Sequence, residues 1–306
     1  MSCALYSSNY FYKSFLNNAL ITGTPVDISS YLQRIDFSGT ADNSLATLEQ
    51  IHQLHPRAIA FENINSFVAE RVSLEVNDVF EKLVNHGRGG YCFEQNLILA
   101  EILKALGFQV TEHAARVLWR SPEKTEMART HMLLKVDIAE QSWIADVGFG
   151  GLTMTAPLRL DPGAIQKTPN ETFRILKEGD EFTIAVSLND GWKQMYVFDL
   201  LPQYPVDFEM ANHYVATHPQ SYFVNNLVMA RVDNQCRHAL ENRTYNRYML
   251  EGGTGDNSGT GEKVEKQSQQ IDDFDQLLEL LNNTFNVELD ENINVSALQK
   301  RWENLP

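Results

Sequence analysis

The chain has 306 residues, 43% hydrophobic and 21% charged, with 25 Lys and Arg against 40 Asp and Glu for a formal charge of -15. This suits a soluble chain of two or three domains and argues against nucleic acid or an anionic membrane as a general partner. The start lacks a basic stretch followed by an apolar run, and no apolar segment reaches membrane-spanning length, so the expectation is a cytoplasmic protein with no membrane partner.

From Tyr31 to Leu106 the apolar spacing is mostly helical. Leu45, Leu48, Ile51, His52 and His55 recur at three- and four-residue intervals, and Pro56 is expected to stop that segment. The stretch Arg88-Gly89-Gly90-Tyr91-Cys92-Phe93-Glu94-Gln95-Asn96 is the most informative of the chain. After the glycine pair, Phe93, Leu97, Ala100, Leu103 and Leu106 recur at helical spacing until Gly107, which puts Cys92 at or near a helix N-terminus. Unpaired amides there favour a thiolate, the nucleophilic form. The three cysteines, Cys3, Cys92 and Cys236, are too sparse and odd in number for a disulfide framework.

Beyond Gly107 the spacing changes. Gln109–Val117, His131–Ile138, Ser142–Val147, Phe173–Leu176, Phe182–Val186 and Gln194–Phe198 are short β-branched or aromatic runs between turn residues, which predicts a small antiparallel sheet or barrel. A turn about Ile138-Ala139 would set His131 opposite Asp146, with Cβ atoms roughly 5 Å apart. A cysteine nucleophile needs a base, and the base needs an orienting group. Cys92, His131 and Asp146 would supply all three.

The last ninety or so residues mix strand-like Ser221–Val232 and Thr244–Leu250 with a helix over Asp272–Leu281, predicting a third, α/β unit. The glycine-rich segment 252–263 lacks the order of a phosphate loop, since Glu262 separates Gly261 from Lys263, and reads as a surface loop. Cys236 and His238 are the only close Cys/His pair, and one pair without a second ligand cluster is weak support for zinc. No metal is expected.

The signature from Arg88 to Asn96 resembles that of the arylamine N-acetyltransferases. The resemblance extends through Tyr31-Leu32-Gln33-Arg34-Ile35, Phe61-Glu62-Asn63, Thr130-His131-Met132-Leu133-Leu134, Asp146-Val147-Gly148-Phe149-Gly150-Gly151, Asn212-His213-Tyr214 and Thr217–Phe223, in order, covering about residues 28–250. It implies an α+β fold with a cysteine-protease-like catalytic core. An N-terminal helical bundle over 1–107 would carry Cys92. A central antiparallel β-barrel over 108–215 would carry His131 and Asp146, and a C-terminal α/β lid would span 216–306. It also implies acetyl-CoA as donor, a small-molecule amine as acceptor, and a ping-pong mechanism through acetyl-Cys92. Ala60 stands where the family commonly has proline, the first thirty residues extend beyond the usual start, and the 252–263 loop enlarges the lid.

Other residues are given supporting roles. Arg88 and Glu62 are expected to form a buried ion pair, since an unpaired buried guanidinium is costly. Phe149, with Tyr91 and Phe61, is assigned to the acceptor pocket, where an aromatic wall suits a flat arylamine. Gly148 and Gly150 would let backbone and cofactor approach closely. Lys124 and Arg129, in a basic segment with Arg116 and Arg120, are candidates for the CoA phosphates. The competing readings are a longer-chain acyl-CoA transferase or amide synthase on the same scaffold, a transglutaminase-like cysteine hydrolase, and a non-enzymatic CoA-binding regulatory protein.

Overall fold

The computed structural model describes residues 26–120, 127–234, 236–249, 265–289 and 293–305. The segment 252–263 and Lys124 lie outside the described residues. Helix α1 (Ile28–Arg34) begins at Asp27, whose carboxylate accepts from the amides of Ser29 and Ser30. Ser44 caps α2 (Leu45–Ala58) through the Thr47 amide. This helix does not stop at Pro56 but runs two residues further. The missing proline amide costs one bond near the C-terminal end, where Ile59 N still closes on His55 O at 2.8 Å. A short strand β1 (Phe61–Glu62) follows, then α3 (Ile64–Phe67), α4 (Val76–Phe80), which widens into a π-type turn over Glu81–Asn85, and α5 (Cys92–Ala105).

Strands β2 (Gln109–Val117), β3 (Arg129–Ile138), β4 (Gln141–Ala145), β5 (Leu158–Arg159), β6 (Ile165–Lys167), β7 (Thr172–Glu178), β8 (Glu181–Leu188) and β9 (Gly191–Phe198) come next. They form one eight-stranded antiparallel sheet in the order β5-β4-β3-β2-β9-β8-β7-β6, the nearly closed barrel of an α+β fold. Leu133, Ile144, Phe173, Ile184, Met195 and Tyr196 fill one face. Met132, Leu134, Val136 and Ala145 point the other way and pack with α5 residues such as Phe93 and Leu99. Because β3 is covered on both faces, its apolar residues run together instead of alternating.

The chain continues through α6 (Pro205–Thr217) and α7 (Tyr222–Asn225) to β10 (Val228–Val232), β11 (Cys236–Glu241), β12 (Thr244–Met249), β13 (Glu265–Gln270), α8 (Phe274–Asn283) and α9 (Val295–Glu303). The lid sheet has the order β1-β10-β11-β12-β13, so the Phe-Glu-Asn segment contributes its edge strand. Ala60, Ile64 and Phe67 accordingly share a core with Leu277, Phe285 and Trp302. The expected strand over Ser221–Val232 is instead a helical turn followed by β10. Asn63 causes the break: its amide donates to Phe223 O at 2.7 Å and Asn226 O at 2.8 Å while its oxygen accepts from Val228 N at 2.7 Å. That tertiary clamp outweighs local strand preference.

Candidate active site

Cys92 is the first residue of α5, after Tyr91 in extended conformation. Glu94 Oε2 accepts from the Tyr91 amide at 3.0 Å and fixes where the helix starts. The side chain of Cys92 is buried, with Sγ 3.6 Å from the carbonyl of Thr130. Thr130 is the extra residue of a β-bulge, since Ala115 pairs with His131 whereas Arg116 pairs with Arg129. The irregularity brings a β3 carbonyl to Cys92 and sits beside His131.

The hairpin register differs from expectation by two residues. Ile138 pairs with Gln141 and Leu134 with Ala145, because the turn is Ala139-Glu140, with Ala139 at φ 53°. Asp146 therefore falls past the end of β4, diagonal to His131 and not opposite it. A two-residue shift preserves the face, so the pair still meets, with His131 Nε2 2.7 Å from Asp146 Oδ2. With Nε2–H donating to the carboxylate, Nδ1 remains for the thiol.

Both members of this pair are buried, 2% exposed for His131 and 0% for Asp146. Burial works against charge on the imidazole, but the Asp146 carboxylate, its hydrogen bond and contact with Cys92 outweigh that and lift His131 to about 10. Burial likewise opposes the Asp146 charge. The imidazolium, the Asn96 amide and the Gly148 N–H prevail and hold the carboxyl below its ordinary range. An imidazolium against a sulfur at a helix N-terminus is the electrostatic complement of a thiolate.

Further residues hold this pair in place, and for His52 and Tyr196 no local sequence signal points to that work. Asn96, one turn into α5, donates to Asp146 Oδ1 at 2.9 Å and Met132 O at 2.7 Å and accepts from Val147 N at 3.0 Å. His52 Nε2 accepts from the Asp146 amide at 3.0 Å, which requires a neutral ring, and burial pushes it down to about 4. The rings of Tyr196 and Phe149 flank His131 at centroid distances of 4.9 and 5.4 Å. The Tyr196 hydroxyl is buried without a formed hydrogen bond among the described residues.

Arg88 and Glu62 form the expected buried pair, with Arg88 Nη2 2.8 Å from Glu62 Oε1, at 3% and 0% side-chain exposure. Burial opposes the Glu62 charge, yet Arg88 and Lys82 hold it ionised, and Lys82 also reaches Glu94 at 2.7 Å. This cluster ties the segment before Cys92 to the lid's edge strand.

Phe149 is half-buried beside His131, and the rings of Phe61 and Phe223 lie 5.8 Å apart near Gly150. Tyr91 is 1% exposed and its hydroxyl bonds to Asn212, so it packs inside. Arg129 is committed to a two-pronged pair with Asp199. The Gly148 amide donates to Asp146 Oδ1 at 2.9 Å and that of Gly150 to Thr153 Oγ1 at 2.7 Å. Arg120 meets Glu241 at 3.3 Å on the surface, and Arg116 bonds the Met127 carbonyl.

A thiol at a helix start, an imidazole and a buried carboxylate, set where a helical core meets a barrel, are the groups that nucleophilic cysteine chemistry requires. A family model described as N-acetyltransferase matches residues 44–294. The arylamine N-acetyltransferase of Escherichia coli strain K12 is 41% identical over 208 residues, 68% of this chain and 73% of that protein. That of Mycolicibacterium smegmatis is 38% identical over 222 residues, 71% of this chain and 81% of its own length. Among solved structures, the Mycobacterium marinum arylamine N-acetyltransferase in complex with CoA matches with a TM-score of 0.83 and 32% identity, covering 91% of this chain and 99% of that one. The chain belongs to the arylamine N-acetyltransferase family, and it is an acyltransferase.

Proposed function

We propose that this protein transfers acetyl groups from acetyl-CoA to arylamines, hydrazines or aryl hydroxylamines by a ping-pong mechanism, with Cys92 as nucleophile, His131 as proton carrier and Asp146 as orienting group. The observation that carries the reading is the His131–Asp146 hydrogen bond beside a thiol at a helix N-terminus. A Salmonella typhimurium relative, 37% identical, is named both arylamine N-acetyltransferase and N-hydroxyarylamine O-acetyltransferase, which supports the wider acceptor range. No helix among the described residues is long and apolar enough to cross a membrane, in keeping with a cytoplasmic enzyme.

In the first half-reaction the Cys92 thiolate attacks the thioester carbonyl, the bond to the CoA sulfur breaks, and His131 gives its proton to the departing thiolate. Exchange of one thioester for another is nearly isoenergetic, so acetyl-Cys92 persists until an amine arrives. Acetylation also removes the sulfur charge that helps hold a proton on His131, and the imidazole is then ready to accept one. A neutral arylamine attacks the acetyl carbonyl, His131 takes the surplus proton, and Cys92 leaves as thiolate beside the imidazolium. Half-buried Phe149 and Phe223 supply the aromatic wall for a flat acceptor.

Release of free CoA thiol from acetyl-CoA, followed with and without an arylamine, tests the reading. Amine-dependent release that disappears in Cys92→Ala supports it. Release without amine dependence favours a hydrolase, and none with a folded protein favours another donor.

A further inference from the structure

A second cluster of chemically capable side chains lies in the lid, away from Cys92 and unused by acetyl transfer. Asp233, Cys236 and His238 surround the turn between β10 and β11, and one ligand atom from each falls within 4.8 Å of the other two. Cys236 is 0% exposed and His238 is 7% exposed. His238 Nε2 lies 2.9 Å from Asp233 Oδ2, and Cys236 N donates to Asp233 Oδ1 at 2.6 Å, so the carboxylate is aimed by the strand it faces. The other ring nitrogen, Nδ1, meets the Tyr245 hydroxyl at 2.7 Å, and the imidazole and phenol rings stack at 6°.

We propose that Asp233, Cys236 and His238 bind one zinc ion, with water completing the shell. Thiolate, imidazole and carboxylate are the donor types zinc takes. Tetrahedral Zn–S and Zn–N bonds of roughly 2.0 to 2.3 Å place ligand atoms roughly 3.3 to 3.8 Å apart, so the 2.9 Å His238–Asp233 pair must open slightly to admit the ion while the wider separations, all within 4.8 Å, close onto it. A thiolate and a carboxylate together balance a divalent charge, and sulfur and nitrogen donors disfavour magnesium and calcium. Tyr245 occupies the place of the outer partner that fixes the ring of a metal-bound histidine. Sequence spacing alone offers only the Cys236/His238 pair. Asp233 joins them because the hairpin folds it back.

Without metal, Arg247 is the polar partner of the Cys236 sulfur. Its Nε lies 3.0 Å from Cys236 Sγ across the β11–β12 ladder, while Met249 Sδ lies 3.3 Å from the same sulfur. Arg57 and Arg231 also feel the Asp233 charge from β10 and the end of α2. Zinc therefore competes with Arg247 for the Cys236 sulfur. Removing that guanidinium should tighten binding, the reverse of what a purely structural hydrogen-bond network would show.

The test is titration of the full chain with zinc ion against a colorimetric chelator, in a Cys92→Ser background so that the active-site thiol cannot contribute. One equivalent bound, weakened about tenfold or more by Cys236→Ser and strengthened severalfold by Arg247→Ala, is expected. Cobalt(II) in place of zinc should give a thiolate charge-transfer band that Cys236→Ser abolishes. No saturable binding, binding unaffected by Cys236→Ser, or Arg247→Ala failing to tighten it would overturn the proposal. Arg247→Ala keeps the test decisive if the buried variants misfold. No readout depends on acetyl transfer, so this proposal and the enzymatic one fail separately.

Discussion

Gly148→Ala should disable the enzyme while leaving it folded. A Cβ at this position would lie 2.8 Å from Cys92 Cα, 2.8 Å from Asn96 Nδ2 and 3.0 Å from Cys92 O. Against an ordinary contact of 3.4 Å, the deficit is about 0.6 Å on two of the three atoms. Neither side yields cheaply, because Cys92 Cα and O belong to the α5 backbone and the Asn96 amide is bonded to both Met132 and Asp146. The strain therefore falls on the Asp146–Gly148 loop, moving the carboxylate away from His131 or α5 away from the bulge. Overpacking of this kind costs about 1–3 kcal/mol of stability. A displacement approaching 1 Å in a catalytic constellation costs about a hundredfold in rate. Gly151→Ala is the control, since nothing lies within 4 Å of its Cβ. Single-turnover formation of acetyl-Cys92, quenched and read by mass spectrometry, should slow about a hundredfold in Gly148→Ala and stay at the parent rate in Gly151→Ala. A parent-like rate in Gly148→Ala, or an equal loss in both variants, would refute the reasoning.

Truncating either member of the Arg88–Glu62 pair should cost about 3–5 kcal/mol, because the surviving charge is left buried. The double variant should lose clearly less than the sum, whereas additive losses in urea unfolding would contradict the pairing. Asn96→Ala removes three buried hydrogen bonds and should cost about 3 kcal/mol, with slower acetylation of Cys92; stability within 1 kcal/mol of the parent would show that the clamp is idle. Stability should also fall on both sides of neutrality. His131, lifted to about 10, contributes stability fully present below its ordinary 6.5 and lost as pH rises toward 10. His52 and His55, pushed by burial to about 4, contribute stability present above 6.5 and lost as pH falls toward 4. Melting temperatures followed from pH 4 to 10 should show both limbs, with the alkaline one flattened in His131→Gln; an unchanged alkaline slope in that variant would argue against the raised imidazole.

What was legible in the sequence followed from the range of the signal. Cys92 lies between a glycine pair and a helical apolar repeat, so its place at a helix start is a local matter. The partnership of His131 and Asp146 depended only on face parity, which survived a register error. The error arose because Ala139 takes a positive φ that alanine does not advertise. His52 and Tyr196 were out of reach, since no spacing rule connects His52 to an amide 94 residues away or Tyr196 to the imidazole it flanks. Asn63 belongs to the Phe-Glu-Asn motif, but its work of ending one element and starting β10 appears only when residues 163 and 165 positions distant fold onto it.

The central claim is that an acetyl group rests on Cys92 between two half-reactions. Intact-protein mass spectrometry after mixing with acetyl-CoA in the absence of amine, followed by peptide mapping, tests it directly. One added acetyl group on the Cys92 peptide, discharged when an arylamine is added and absent in Cys92→Ser, is the predicted result. Acetyl transfer that proceeds while the Cys92 peptide stays unmodified at every time point would contradict the account.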